Sequence, residues 1–429
     1  MKKIYLESLG CAKNLVDSEQ MLAMFPADCF VLTSNPEEAD LLILNTCGFI
    51  ESAKKESLDR IFDLAGYEGK LAVTGCLSTR YEKELKEELP EADDIISLSD
   101  YGRLASRFES LLGEKGVLSF NPLRRLLTTS KGTGYLRISE GCDNFCAFCA
   151  IPHIRGRFVS RPFEEILEEA KILKDRGIKE ISLISQDTTV YGKDFPGGKP
   201  CLIDLLKALD GMGFFSIRLL YLYPSEIEDE LIKTIAESRS IAHYFDIPVQ
   251  AASDHMLIAM RRHADAKETL ALFDRIKAIC PDAILRTTLI SGFPEESEED
   301  QKETLDFLSK IEFDHVGVFP YSPEEGTPGY YKEQIPEELR YARKDELMKL
   351  QRKISYKKNK AQIGKVWDGI VIGHSRDGEA LIRTVWNAPD DIDGAIYLKS
   401  KKKHEEGEIL KIRITDAFVY DLFAEEVEG

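Results

Sequence analysis

The chain has 429 residues, more than one hydrophobic core usually supports, so two or three domains are expected. Its apolar fraction of 43% is that of an ordinary globular protein, and no apolar run reaches the roughly 18 residues of a membrane span. A net charge of -18 disfavours broad attraction to nucleic acid phosphates and suits a basic protein partner; with no signal-like start, a cytoplasmic protein without membrane association is the simplest expectation.

Residues 1–115 alternate short apolar runs with helical stretches. KIYLESLG leads into a helix expected from Asn14 to about Phe25, then come CFVLTS and DLLILNT. Helices are expected near Ile50–Ala65, Thr79–Leu89 and Tyr101–Leu112, with KLAVTG and DDIISLS between them. Apolar strands alternating with helices indicate a doubly wound parallel sheet. Cys11, Cys47 and Cys76 each lie just past such a strand, in LESLGC, LILNTC and AVTGC. Ligands of open α/β sheets bind beyond the carboxyl ends of the strands, so these thiols could converge there. Taken alone, each is as readily a small buried hydrophobe.

Residues 116–134 read as a linker ending in Lys131-Gly132-Thr133-Gly134. Over residues 135–330 six strand candidates follow: GYLRISEG, IKEISLIS, FFSIRLLYL, YFDIPVQ, AILRTTLISGF and FDHVGVFPY, with amphipathic helices such as Phe163–Arg176 and Ala266–Ala278 between them. Six βα repeats suggest a partial barrel with function on the loops after its strands. The first of those loops is EGCDNFCAFCAIP, with Cys142, Cys146 and Cys149 in a C-x3-C-x2-C spacing. In a reducing compartment clustered cysteines bind metal or carry redox chemistry. Structural zinc closed by His153, a redox pair with a bystander, and an iron–sulfur cluster with one open iron all fit the residue types. Phe148 is either a packing aromatic or a wall for a bound cofactor.

Residues 331–363 form a basic helical connector, Glu337 to Lys360, read as a solvated strut in preference to a ribosomal RNA contact. Residues 364–429 give five short β-like runs, from VWDGIVIGH to FVYDLFAE, expected to close into a small antiparallel barrel. From Lys365 onward there are 9 Lys and Arg against 14 Asp and Glu, a poor surface for RNA.

The three-cysteine run on the first barrel loop resembles the radical S-adenosylmethionine superfamily. With the scattered N-terminal triplet and the terminal barrel, which resembles a TRAM domain, the whole chain looks like a methylthiotransferase of that superfamily. The resemblance implies two [4Fe-4S] clusters, one on Cys142, Cys146 and Cys149 and one on Cys11, Cys47 and Cys76, and S-adenosyl-L-methionine as cofactor. It implies contacts to that cofactor from Phe148, from Gln186 and Asp187 after the second strand, and from Ile290 and Gly292 in TTLISGF. Cys29, Cys201 and Cys280 match no motif and read as packing residues, and His243, His263 and His315 receive no role.

ESLGCAKNLVDSE, YLRISEGC, ISQDTTVYG and ITDAFVYDLF resemble the branch that modifies an aspartate of ribosomal protein uS12. The branch that acts on N6-isopentenyladenosine in transfer RNA typically has Gln-Met after its first cysteine, where this chain has Ala12 and Lys13. Ala251 departs from the ribosomal pattern, which has a histidine after Gln250. The resemblance implies methylthiolation at the aspartate β-carbon, with uS12, free or in the small subunit, as partner and a reductant such as flavodoxin or ferredoxin. Methylthiolation of transfer RNA and a non-catalytic iron–sulfur carrier are the competing functions.

Overall fold

The strand Leu41–Thr46 is buried along its whole length and Lys70–Gly75 at all but its first residue, as befits strands covered on both faces. In the computed structural model, which describes residues 1–390 and 392–427, they belong to a five-stranded parallel sheet. Its order is Phe30–Leu32, Lys2–Ser8, Leu41–Thr46, Lys70–Gly75 and Asp94–Ile96. Alternate residues face opposite cores. Leu41 and Ile43 pack with Met21, Phe108 and Leu112 of the helices Ala12–Leu22 and Leu104–Leu112. Leu42 and Leu44 pack with Ile61 and Leu64 of Glu51–Ala65 on the other side.

This sheet lies in the first of two compact units, which comprises Met1–Thr128, Glu140–Phe158 and Ser322–Tyr330. The second holds Thr129–Ser139, Val159–Tyr321 and the described residues from Tyr331 onward. In it, six strands stand in chain order: Thr133–Arg137, Glu180–Ile184, Ser216–Leu219, Tyr244–Asp246, Ile284–Ser291 and His315–Pro320. They form two parallel three-stranded sheets. The seam between the sheets is bonded from Ile217 N to Ser240 O at 2.7 Å and from Ala242 N to Ile217 O at 2.8 Å. The result is an open, partial (βα)6 barrel.

The chain ends in a closed five-stranded barrel, Val366–His374, Ala380–Arg383, Ile396–Lys399, Leu422–Glu426 and Ile409–Ala417 in spatial order. Four of its seams are antiparallel. The fifth, Ile396–Lys399 with Leu422–Glu426, is parallel because a whole strand intervenes between them in the chain. Between the second and third strands of this barrel, the loop after Ala380–Arg383 enters the larger one. Each of the six strands holds it or the arginine before it. Tyr135 bonds Asp390, and Glu180 takes Arg383 at 2.7 Å. Arg218, fully buried, donates to Thr384 O at 2.7 Å. Tyr244 and Arg286 both bond Asp393, and His315 Nε2 meets Trp386 O at 2.8 Å. Glu180, Tyr244 and His315 open their strands, so the loop floors the barrel at its N-terminal end, opposite the face where barrel enzymes place their sites.

The helix Glu337–Lys360 buries Leu347 and Ile354 and ties the parts of this unit together. Arg343 pairs with Glu296 and Glu298 at 2.8 Å, and Asn359 donates to Phe418 O at 3.1 Å. Its role as a strut follows from those contacts. Three helices differ from expectation: the one expected over Tyr101–Leu112 is an α-helix only from Leu104, after a 3-10 turn over Leu98–Arg103. The first helix begins at Ala12 because Cys11 already occupies its N-cap, and the stretch expected over Thr79–Leu89 is two helices, Cys76–Arg80 and Glu82–Glu88, parted at Tyr81. Among the described residues no helix is long and apolar enough to cross a membrane.

Candidate metal centre

Ser8 pairs with Asn45 and Thr46 with Gly75, so three adjacent strands end at one level. Cys11, Cys47 and Cys76 follow those ends. Gly10 and Gly75 permit the approach. Gly10 has φ +88°, and a Cβ there would lie 2.8 Å from Cys47 Cβ and 2.9 Å from its Sγ. Gly75 has φ +98°, and its Cβ would strike Asn45 Oδ1 at 2.3 Å. Asn14 fastens the strand ends by donating to Leu9 O at 2.8 Å and Thr46 O at 2.9 Å, and Ser57 Oγ bridges the amide and carbonyl of Cys47.

Burial pushes the Cys76 thiol up to about 11 while the Arg155 guanidinium pulls the other way, and burial likewise raises Cys47. Each of these two thiols feels the charge of Cys11, so the three sulfurs share one neighbourhood. Three sulfurs form a soft donor set suited to iron–sulfur chemistry, and a cluster would have to displace the thiol protons to bind.

The packed triplet lies in the same unit. Cys142 and Cys146 are buried and Cys149 is half-buried. The loop is closed by Cys142 N to Gly156 O at 3.2 Å and Cys149 N to Cys146 O at 3.0 Å, and Gly329 N holds Ala147 O at 2.8 Å. Phe148 is half-buried, His153 is exposed, and Arg157 lies 5.2 Å over the exposed Phe145 ring. Cys76 of the scattered triplet packs with Ala150 and Ile154, which follow the packed one.

Several residues around these sulfurs had no sequence signal beyond their charge. Arg155, buried, donates from Nη2 to Asn14 Oδ1 at 2.7 Å and to Asp17 Oδ2 at 3.1 Å, and from Nη1 to Glu140 Oε1 at 3.1 Å. Burial alone would favour its neutral form, but Glu140, Asp17 and the sulfurs of Cys76 and Cys11 outweigh that and hold it well above the ordinary arginine range. Glu324, 1% exposed, takes Arg80 at 2.7 Å and Lys54 at 3.1 Å, and Arg80 also donates to Gly48 O at 2.9 Å. Arg155 and Glu324 thus brace the strand-end cysteines from segments far along the chain.

The other sequence candidates lie in the second unit. Gln186 and Asp187 follow the strand Glu180–Ile184, and Asp187 Oδ1 accepts from the amide and hydroxyl of Thr189. Ile290 lies in Ile284–Ser291, and Gly292 donates its amide to Glu296 at 2.7 Å. A Cβ on Gly292 would lie 2.2 Å from Arg340 Cγ, so its close packing has a structural cause. Gln250, at φ +72°, bonds Thr288 O and Ile290 N through its backbone, and Ala251 beside it is buried. Cys29 is exposed, which corrects its reading as a packing residue, whereas Cys280 is buried. His243, Cys280 and Asp282 lie together, and hydrogen bonds from both partners to the Asp282 carboxylate account for the group.

Comparison with known proteins covers every part of this architecture. Residues 3–97 match the Uncharacterized protein family UPF0004, residues 136–308 the Radical SAM superfamily and residues 363–427 the TRAM domain. Among solved structures, the radical S-adenosylmethionine methyltransferase TsrM from Kitasatospora setae, with cobalamin and a [4Fe-4S] cluster bound, superposes with a TM-score of 0.58 at 12% identity, over 77% of this chain and 74% of that one. That likeness shows a shared fold. Curated relatives are nearer. The ribosomal protein uS12 methylthiotransferase RimO of Acetivibrio thermocellus is 43% identical over 99% of this chain and 98% of its own length. Those of Aquifex aeolicus and Clostridium kluyveri are 43% and 44% identical, covering 100% and 98% of this chain and 98% and 97% of their own. Likeness at that level from end to end leaves no segment outside the match, and the chain belongs to the ribosomal protein uS12 methylthiotransferase family.

Proposed function

We propose that this protein replaces a C–H bond at the β-carbon of an aspartate in ribosomal protein uS12 with C–S–CH3. Its family membership supports the reaction class, and the gathering of two cysteine triplets in one compact unit is the observation that carries the reading. Cys142, Cys146 and Cys149 would hold one [4Fe-4S] cluster, and Cys11, Cys47 and Cys76 a second. Three thiolates leave one iron of each open, the first for S-adenosyl-L-methionine and the second for sulfur. When bound, the first group supplies a 5′-deoxyadenosyl radical able to take a hydrogen atom that no side-chain base could remove as a proton.

What the protein contributes is placement. Gly10 and Gly75 let Cys47 and the strand ends close up, Asn14 and Ser57 fix them, and Gly329 holds the packed loop. Phe148, Gln186, Asp187, Ile290 and Gly292 are proposed to line the cofactor. The acidic terminal barrel, with 9 Lys and Arg against 14 Asp and Glu, favours a basic ribosomal protein over transfer RNA. Electrons would come from a reductant such as flavodoxin or ferredoxin, and the same reading implies a cytoplasmic site of action. The test is to incubate the reconstituted enzyme, S-adenosyl-L-methionine and a reductant with uS12, and separately with N6-isopentenyladenosine transfer RNA. A methylthio mass gain on an aspartate of uS12 alone is expected. Gain on the RNA alone, or no 5′-deoxyadenosine at all, would overturn the proposal.

A further inference from the structure

Arg155 joins the two cysteine groups. It comes six residues after Cys149, yet its guanidinium meets Asn14, which ties down the strand ends carrying Cys11 and Cys47. Asn14 Oδ1 also lies 3.5 Å from Cys76 Sγ. In the thiol form that sulfur donates to Asn14. The guanidinium donates to the same Asn14 oxygen at 2.7 Å, which places the cation next to that sulfur. Burial makes the arrangement consequential. Arg155 is 9% exposed, Asp17 2% and Asn14 0%, so the charge faces the sulfur with little water to screen it.

We propose that Arg155 is a positioning residue that raises the reduction potential of the iron–sulfur centre held by Cys11, Cys47 and Cys76. Hydrogen bonds to ligand sulfurs and nearby charge both tune such potentials. The purpose follows from electron count. When sulfide bonds to a carbon radical to give a thiolate, the radical and the sulfide each put one electron into the new C–S bond, and one further electron leaves the sulfur. An iron–sulfur centre takes up that electron more readily beside a buried cation. Asp17 and Glu140 oppose this effect, and their presence explains how the cation is tolerated in the interior. The proposal rests on the second cluster of the proposed function.

The experiment uses the full chain with Cys142, Cys146 and Cys149 changed to Ala, so that one centre remains. Iron content comes first. Four irons per chain support the second cluster, and none would sink that reading whatever Arg155 does. Redox titration followed by electron paramagnetic resonance then compares Arg155→Gln, Asp17→Asn and the double variant. Arg155→Gln is expected to shift the reduction equilibrium at least tenfold toward the oxidised form, about 59 mV for a one-electron couple. Asp17→Asn should shift it the opposite way, and the double variant should fall between Arg155→Gln and the parent. Arg155→Lys should restore most of the loss. If Arg155→Gln fails to retain iron, the double variant compared with Asp17→Asn alone reads the loss of the Arg155 charge. An unmoved potential, or a shift of Asp17→Asn toward the oxidised form, overturns the proposal.

Discussion

Asp300 is 3% exposed, yet Ser253 Oγ and Ser297 Oγ at 2.6 Å, Ser297 N at 2.8 Å and His255 Nδ1 at 3.0 Å all address its carboxylate. Burial pushes its pKa up, but those donors outweigh burial and hold it at about 2. A carboxyl depressed from about 4 in the unfolded chain contributes about 2 kcal/mol above pH 4, lost as pH falls through 2. Asp300→Asn is expected to be less stable by about that much near neutrality, with the gap closing between pH 4 and pH 2. Urea unfolding across that range checks it, and a gap that stayed constant would mean the charge is not its source. At this scale the sequence was readable where chemistry is signalled by residue type and spacing. All six cysteines could be named, because thiols after strand ends and in a C-x3-C-x2-C run stand out. Arg155, Asp17, Arg80 and Glu324 could not, because a buried ion pair between segments 138 or 244 residues apart leaves no local pattern.

Elements were legible by periodicity. Leu41–Leu44 is apolar at every position because alternate residues face opposite cores, and such unbroken apolar runs between helical stretches mark a doubly wound sheet. Helix edges were less so. Cys76–Arg80 and Glu82–Glu88 share one continuous pattern, and only the backbone at Tyr81 (φ -125°, ψ 36°) divides them. The loop that floors the partial barrel was not legible at all, since its partners are single residues on six separate strands. Its key residue is Asp393, whose side chain is 0% exposed and which binds Arg286 at 3.2 Å, the Tyr244 hydroxyl and Ala388 N at 2.8 Å. Without it Arg286 keeps Asp246 at 2.8 Å, so what is lost is hydrogen bonding to a buried charge, about 1.5–3 kcal/mol. Asp393→Ala is expected to cost that much in thermal or urea unfolding of the whole chain. A loss under about 1 kcal/mol would mean the terminal barrel is an appendage and not a floor.

At the scale of the whole molecule, the division into units cuts across the order of the chain. Glu140–Phe158 and Ser322–Tyr330 join the N-terminal sheet although they lie within the stretch that supplies the partial barrel. Glu324 is the clearest case, since it pairs with both Arg80 and Lys54 and, through Arg80, steadies Gly48 beside Cys47. Glu324→Ala should lower iron at the N-terminal triplet, read as iron per chain with Cys142, Cys146 and Cys149 changed to Ala. Unchanged iron content would show that the brace is not needed for loading.

The position of Glu324 also sets a timetable. A ribosome making this chain releases Cys11, Cys47 and Cys76 early, but it must add more than two hundred residues before Glu324 emerges. Asp17 gains Arg155 sooner, but until Glu324 arrives Arg80 and Lys54 lack the carboxylate they share and the brace is incomplete. Iron loading of this triplet is therefore expected late in synthesis, once Glu324 has emerged to complete the brace.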